Sequence, residues 1–238
     1  MSLALAHKRR TLALGSAAIA AAAGAPAAYT PADALGSPAN ARKHLMLQEA
    51  ALDQDLERLS AIKVMAGRQL LKRDELLPKY QDYVRRYCES GLNFQNRILV
   101  QVMVWLFDTA EFEDGLELAD FAIEQGQVMP ERFKRDIPTF VADAVIDWAF
   151  DEYNARRSPE PYLSNMLPLV DGEWELTEQI PSKYHKLIGI RAMEAEEWQT
   201  ALKHLERSTE LYPKAGNDTR IVKCRKALEK QAAKPATE

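Results

Sequence analysis

Residues 98–126 read ILVQVMVWLFDTAEFEDGLELADFAIEQG, and their pattern decides the fold class. Ile98, Leu99, Val102, Met103, Leu106 and Phe107 recur at steps of three and four. Val100, Val104 and Trp105 fill the other faces, so the spacing predicts a helix buried nearly all round. Charge interrupts at Asp108. Beyond it, Leu116, Ala119, Phe121, Ala122 and Ile123 form one broad stripe, and Gly126 supplies a C-terminal stop. Gly115, Ala119 and Ala122 are small enough to let the second helix lie close on the first. The stretch predicts a helical hairpin.

Outward from it, a related pattern recurs at residues 187–213, LIGIRAMEAEEWQTALKHLERSTELYP. Aligning Trp198 on Phe112 sets Ala201 on Gly115, Leu202 on Leu116 and Ser208 on Ala122. This copy resembles a tetratricopeptide repeat: Gly189, Ala201, Leu205, Ser208 and Pro213 stand at that motif's offsets, while His185 occupies its Trp position and Ala192 its Tyr position. Ordinary helix packing is the alternative reading, since one isolated copy is too few for a solenoid. The fold class expected is all-α: helical hairpins with a long N-terminal helix and a tetratricopeptide-like C-terminal hairpin.

The chain divides, on this reading, into a flexible basic, Ala-rich arm and linker (1–38), a long helix plus central helical core (39–158), a connection (159–181), the tetratricopeptide-like hairpin and a basic helix (182–231), and a tail (232–238). The long helix is expected from residue 39 or 40 to about Leu77, closed by Lys72-Arg73 and Leu76-Leu77-Pro78. Leu45, Leu52 and Leu59 recur every seven residues along it, a seam for packing either within the chain or between copies. Tyr80, Tyr83, Val84 and Tyr87 mark a short amphipathic helix ending near Gly91.

Net charge is −4 over 238 residues, which alone speaks against a nucleic-acid binder, but the distribution is uneven. Residues 1–43 carry five Lys/Arg against one Asp, residues 108–181 eighteen Asp/Glu against five Lys/Arg, and residues 214–234 seven Lys/Arg against two acids. An acidic body therefore has basic ends. Lys8, Arg9, Arg10, Arg42 and Lys43 at the N-terminal end are candidate phosphate contacts, and so are Arg132, Lys134 and Arg135 in the Pro-bounded loop 130–138. Solvated tails and a charge-balancing turn are the plain alternatives.

Lys8–Arg10 before an Ala-rich apolar run has the outline of a secretory signal over residues 1–28, yet that run is too short and too mild to span a membrane. Cys88 and Cys224 have no CxxC spacing, which excludes the usual structural zinc patterns and fits a reduced cytoplasmic protein. No Walker lysine loop is present, and His7, His44, His185 and His204 form no HxxxH pattern. Asp143, Asp147 and Asp151 make a carboxylate row that either faces water or holds a divalent ion. Asp171 and Glu173 read as loop residues, and Asp108, Glu111, Glu113 and Asp114 as a solvated turn.

Four blocks carry a family resemblance: Lys72-Arg73-x-x-Leu76-Leu77-Pro78; Val102-Met103-Val104-Trp105-x-x-Asp108; Ala119-x-Phe121-Ala122-Ile123-x-x-Gly126-x-x-Met129-Pro130; and Phe133-Lys134-Arg135. Together they resemble the small terminase subunit, or terminase endonuclease subunit, of temperate contractile-tailed phages, over roughly residues 40–213. The resemblance implies a DNA-packaging role: recognising the viral cohesive-end site in double-stranded DNA and delivering it to the terminase large subunit, an ATPase, as a homo-oligomer in the host cytoplasm with no membrane partner. Secretion is the alternative if residues 1–28 are a signal. A tetratricopeptide-like adaptor with no DNA contact of its own is the alternative function. No cofactor is evident; Mg²⁺ is expected if the chain itself cleaves DNA. Relatives tend to have an acidic pair where this chain has Gln95 and Asn96, and often a longer basic tail.

Overall fold

The computed structural model describes residues 35–233, and these are helical without a strand. The basic arm residues Lys8, Arg9 and Arg10, the signal-like stretch 1–28 and the last tail residues lie outside the described part. The chain forms two compact units: the first holds the described residues to Thr109 with Glu113–Gln127, the second Ala110–Phe112 with Val128 onward. The boundary at Gln127–Val128 falls inside the stretch 39–158 read from sequence as one core.

In the first unit, α1 spans Pro38–Ala61. Ser37 caps it by accepting from the Asn40 amide, and Pro38 sits where its missing N–H costs nothing. The expected continuous helix to Leu77 is not formed. Ile62 leaves the helix in an extended conformation, and the Arg68 guanidinium captures its carbonyl at 2.6 Å. The β-branched pair Ile62 and Val64 favours that break. Helix α2 then covers Met65–Leu71, followed by a π-helical turn at Lys72–Leu76 and by α3 at Leu77–Glu89. Pro78 does not end the helix, contrary to the sequence reading; it lies in the first turn of α3, after the π turn. A proline inside a regular helix meets the carbonyl four residues back, and a widened turn just before it relieves that clash.

Tyr80, Tyr83, Val84 and Tyr87 are all buried on α3. Helix α4, Arg97–Asp108, buries every residue from Ile98 to Phe107, as the sequence predicts. Helix α5 spans Phe112–Glu124, and Gly126 follows in the left-handed region at φ 64°. A Cβ on Gly115 would lie 3.3 Å from the Phe107 ring, so the small residue does set the approach of the hairpin arms. Of the seven-residue seam, Leu52 is wholly buried within the chain while Leu45 and Leu59 are half-buried. Beside it the buried Asp55 accepts from Tyr80 at 2.7 Å, from Lys79 at 2.5 Å and from Arg58 at 3.0 Å, tying α1 to α3.

Gln95 and Asn96 have structural work here. Asn96 caps α4 by accepting from the Leu99 amide, donates to Tyr83 at 3.0 Å, and its own amide donates to Gln127 at 2.7 Å. Gln95 donates to the Gly126 carbonyl at 2.9 Å. These bonds close the ends of the hairpin on each other.

In the second unit, α6 spans Ile137–Asn154 with Asp136 as its cap, α7 spans Tyr162–Pro168, and a second π-helical turn covers Leu169–Glu173. Residues 159–181 are thus partly helical, not the irregular connection expected. Leu163, Met166 and Val170 recur at helical spacing and are buried, a signal masked by Pro159, Pro161 and Pro168. Helices α8 (Gln179–Glu194) and α9 (Trp198–Leu211) form the second hairpin, and α10 (Asp218–Ala232) packs on α9 through Ile221 and Cys224. A Cβ on Gly189 would fall 2.8 Å from Leu205, so the arms meet closely there. Among the described residues no helix is long and apolar enough to cross a membrane.

Candidate nucleic-acid interface

Arg42 and Lys43 stand exposed on the second turn of α1, beyond the Ser37 cap. No carboxylate lies in that helix's first turn, so the local field is positive. In the second unit, the Phe133 amide closes a turn on the Pro130 carbonyl at 2.8 Å. The Arg132 guanidinium lies over the Phe133 ring, 4.9 Å from its centroid, and Phe133 meets Phe140 edge-on. Lys134 is exposed. Arg135 donates to Asp143 at 2.5 Å, and Asp143 is largely buried and also 3.7 Å from Lys183. That fork is therefore already balanced by a carboxylate, and the loop presents Lys134 and Arg132 outward while Arg135 anchors it to α6.

The carboxylate row resolves in the same way. Asp143 holds Arg135, and Asp147 lies 3.6 Å from Lys183. Among the described residues no cluster of His, Cys, Asp or Glu has the geometry to hold a metal ion. The carboxylates most suggestive of nuclease chemistry are likewise engaged. Asp108 receives the ammonium of Lys72 at 2.7 Å, and the neighbouring Arg73 donates to the Thr109 carbonyl at 3.3 Å. Two blocks of the sequence signature, 36 residues apart, thus meet across the π turn. Lys72 is 7% exposed while Asp108 reaches the surface, so loss of the carboxylate would leave a buried ammonium uncompensated. Among the described residues, these carboxylates do not form a Mg²⁺ centre.

A polar cluster that sequence reasoning missed lies in the second hairpin. Asp171, in the π turn, accepts both arms of the Arg207 guanidinium, at 2.8 and 3.0 Å. His185 Nε2 lies 3.0 Å from Asp171, and His185 Nδ1 lies 2.8 Å from His204 Nδ1. A carboxylate only accepts, so neutral His185 carries its proton on Nε2 and receives one from His204 Nδ1. Arg207 and His185 hold the Asp171 carboxyl below its usual range. Burial lowers both imidazoles, His204 to about 4 with help from His185 and Lys203, so both are neutral at neutral pH. The histidines are 19 residues apart and form no linear motif, but they sit on facing arms of one hairpin. His185 at the core Trp position of the repeat-like pattern was the available signal.

Comparison with known proteins adds the family. The family model described as phage small terminase subunit matches residues 49–179. The chain is 34% identical over 189 residues to the probable terminase, endonuclease subunit of Haemophilus phage HP1, covering 74% of this chain and 67% of that protein. It is 28% identical over 185 residues to the terminase, endonuclease subunit of Escherichia phage P2, covering 77% of this chain and 73% of that protein. No solved structure matches the chain.

Proposed function

Because the chain belongs to the phage small terminase subunit family, we propose that it binds viral DNA at the cohesive-end site and hands it to the large ATPase subunit in the host cytoplasm. The family match over residues 49–179 carries the DNA-packaging role. The exposed cations Arg42, Lys43 and Lys134 on an otherwise acidic chain support direct phosphate contact, with Arg132 in the same loop as Lys134 and with Lys8, Arg9 and Arg10 as further contacts. Assembly of several copies would place many such weak contacts on one duplex, where linked sites raise avidity roughly a hundred-fold or more.

Binding of cohesive-end DNA and of a scrambled duplex, at two salt concentrations with Mg²⁺ present and the products on a denaturing gel, tests the reading. Salt-sensitive binding that prefers the cohesive-end DNA is expected, without cutting. Equal, salt-insensitive or absent binding would overturn it.

A second reading has its own observation. A groove of about 240 Å³ on the α8–α9 hairpin is lined by Ile188, Arg191, Ala192, Ala195, Glu197 and Thr200. It favours an adaptor that holds a segment of the large subunit and touches no DNA itself. Full large-subunit binding by the chain after T200W fills that groove would remove this reading.

A further inference from the structure

The C-terminal helix α10 separates its cations into two kinds. Its arginines are committed to the protein: Arg225 donates to Glu206 at 2.5 Å and Arg220 to the Gly216 carbonyl at 3.4 Å. Lys223, Lys226 and Lys230 are exposed and make no salt bridge among the described residues. At 100° per residue these three lysines, with Thr219, fall within one narrow stripe. Ile221, Cys224 and Leu228 occupy the opposite side, where Ile221 and Cys224 are buried. The exposed Glu229 lies at the edge of the stripe, about 60° from Lys226, its neighbour three residues back, and about 100° or more from Lys223 and Lys230.

From Lys223 to Lys230 the helix rises about 10.5 Å, a length over which duplex DNA carries about six negative charges. Lysine is a compact, hydrated point charge on a flexible stem. It neutralises phosphate well, but it lacks the arginine fork that reads guanine edges, and here both arginine forks are turned back to the protein. We infer that α10 is a phosphate clamp, a surface that adds affinity for duplex DNA of any sequence and takes no part in choosing the cohesive-end site. This assignment rests on the DNA-binding reading above, and it places sequence choice elsewhere on the chain. The lysines point away from the packed face of α10, so their removal leaves the core contacts of the helix in place.

The test is the full chain against K223A/K226A/K230A, with a lysine-to-arginine triple as the charge-preserving control. Each protein is titrated with cohesive-end and scrambled duplexes over a series of salt concentrations, and its fold is checked by thermal melting. The alanine triple is expected to weaken binding to both duplexes equally and to reduce the slope of log affinity against log salt by about 2–3. The arginine triple should retain the slope. An unchanged slope in the alanine triple, with normal binding by the parent chain, would overturn the clamp and leave the DNA-binding reading intact. A loss confined to the cohesive-end duplex would also overturn it, since α10 would then be a reader. Failure of the parent chain to bind either duplex would end both.

Discussion

The two helical hairpins share an apolar rhythm and are locked by different physics. The arms of α4–α5 are held by hydrocarbon: from Ile98 to Phe107 no residue is more than 6% exposed. The arms of α8–α9 add a buried polar seam to the apolar contact of Leu205 with Gly189 and of Ala192 with Ala201. Ser182 donates to the Ser208 carbonyl at 2.7 Å, Ser208 donates back to the Ser182 carbonyl at 2.9 Å, and Asn217 donates to the Ser208 hydroxyl at 2.9 Å. Asp171, His185, His204 and Arg207 extend that polar seam. Hydrocarbon contacts tolerate small slips, whereas each of these hydrogen bonds is satisfied in one register alone, and a slip leaves buried groups unpaired. The first hairpin teaches how strength is obtained from a short sequence, and the second how alignment is.

The largest effect should come from breaking the hydrocarbon lock. Trp105 is 1% exposed, and Trp105→Ala should destabilise the first unit by about 3–5 kcal/mol, read as a drop in urea midpoint with a Trp105-independent probe such as circular dichroism. A loss below about 1 kcal/mol would mean that α4 is not the core it appears from burial. The polar lock should be weaker to single cuts. Ser208→Ala strips a partner from both Ser182 and Asn217 and should cost about 1–3 kcal/mol by the same measurement.

The smallest effect is a pH dependence to which His185 and His204 of the second hairpin contribute, alongside His44 on α1, whose pKa is also lowered, by burial and by Arg86. Folding lowers the histidine pKa values from 6.5, His204 to about 4, so the unfolded chain binds more protons between those values. Stability is therefore complete above about pH 6.5 and declines as the pH falls toward 4. Asp171, whose carboxyl is also lowered, adds its own loss only below its ordinary value of 3.8. Melting followed from pH 7 to pH 4.5 should show the decline, and His204→Gln should flatten part of it. The effect is small because His204 is only half-buried and solvent screens the added charge. An identical slope in the variant would remove His204 from the account.

That contrast also governs what was legible in sequence. Period and small-residue placement revealed α4, α5, the tyrosine face of α3 and the stop at Gly126, because burial there is a property of one chain segment at a time. The family signature was readable for the same reason. The pairings Lys72–Asp108 and His185–His204 were not, since each joins residues on different helices whose rotation no local pattern specifies. The break at Ile62 and the helix at Tyr162–Pro168 were missed for a related cause: β-branching and prolines give ambiguous punctuation, and tertiary packing decides between stopping and bending. Of the site residues, Arg42, Lys43, Lys134 and Arg135 are all exposed, and what sets Arg135 apart is its ion pair with Asp143, eight residues away on α6.

The π turn at Lys72–Leu76 has a consequence for length variation. It amounts to one residue more than an α-helix needs to join α2 to α3. Deleting one residue there would let a regular α-helix join α2 to α3 in nearly the present phase, but it would set the Pro78 ring against the carbonyl four residues back. What the turn holds is room for a proline inside a continuous helical path. A frame-preserving deletion of a single codon in this short stretch is therefore expected to be better tolerated when Pro78 is replaced by alanine than when it is kept.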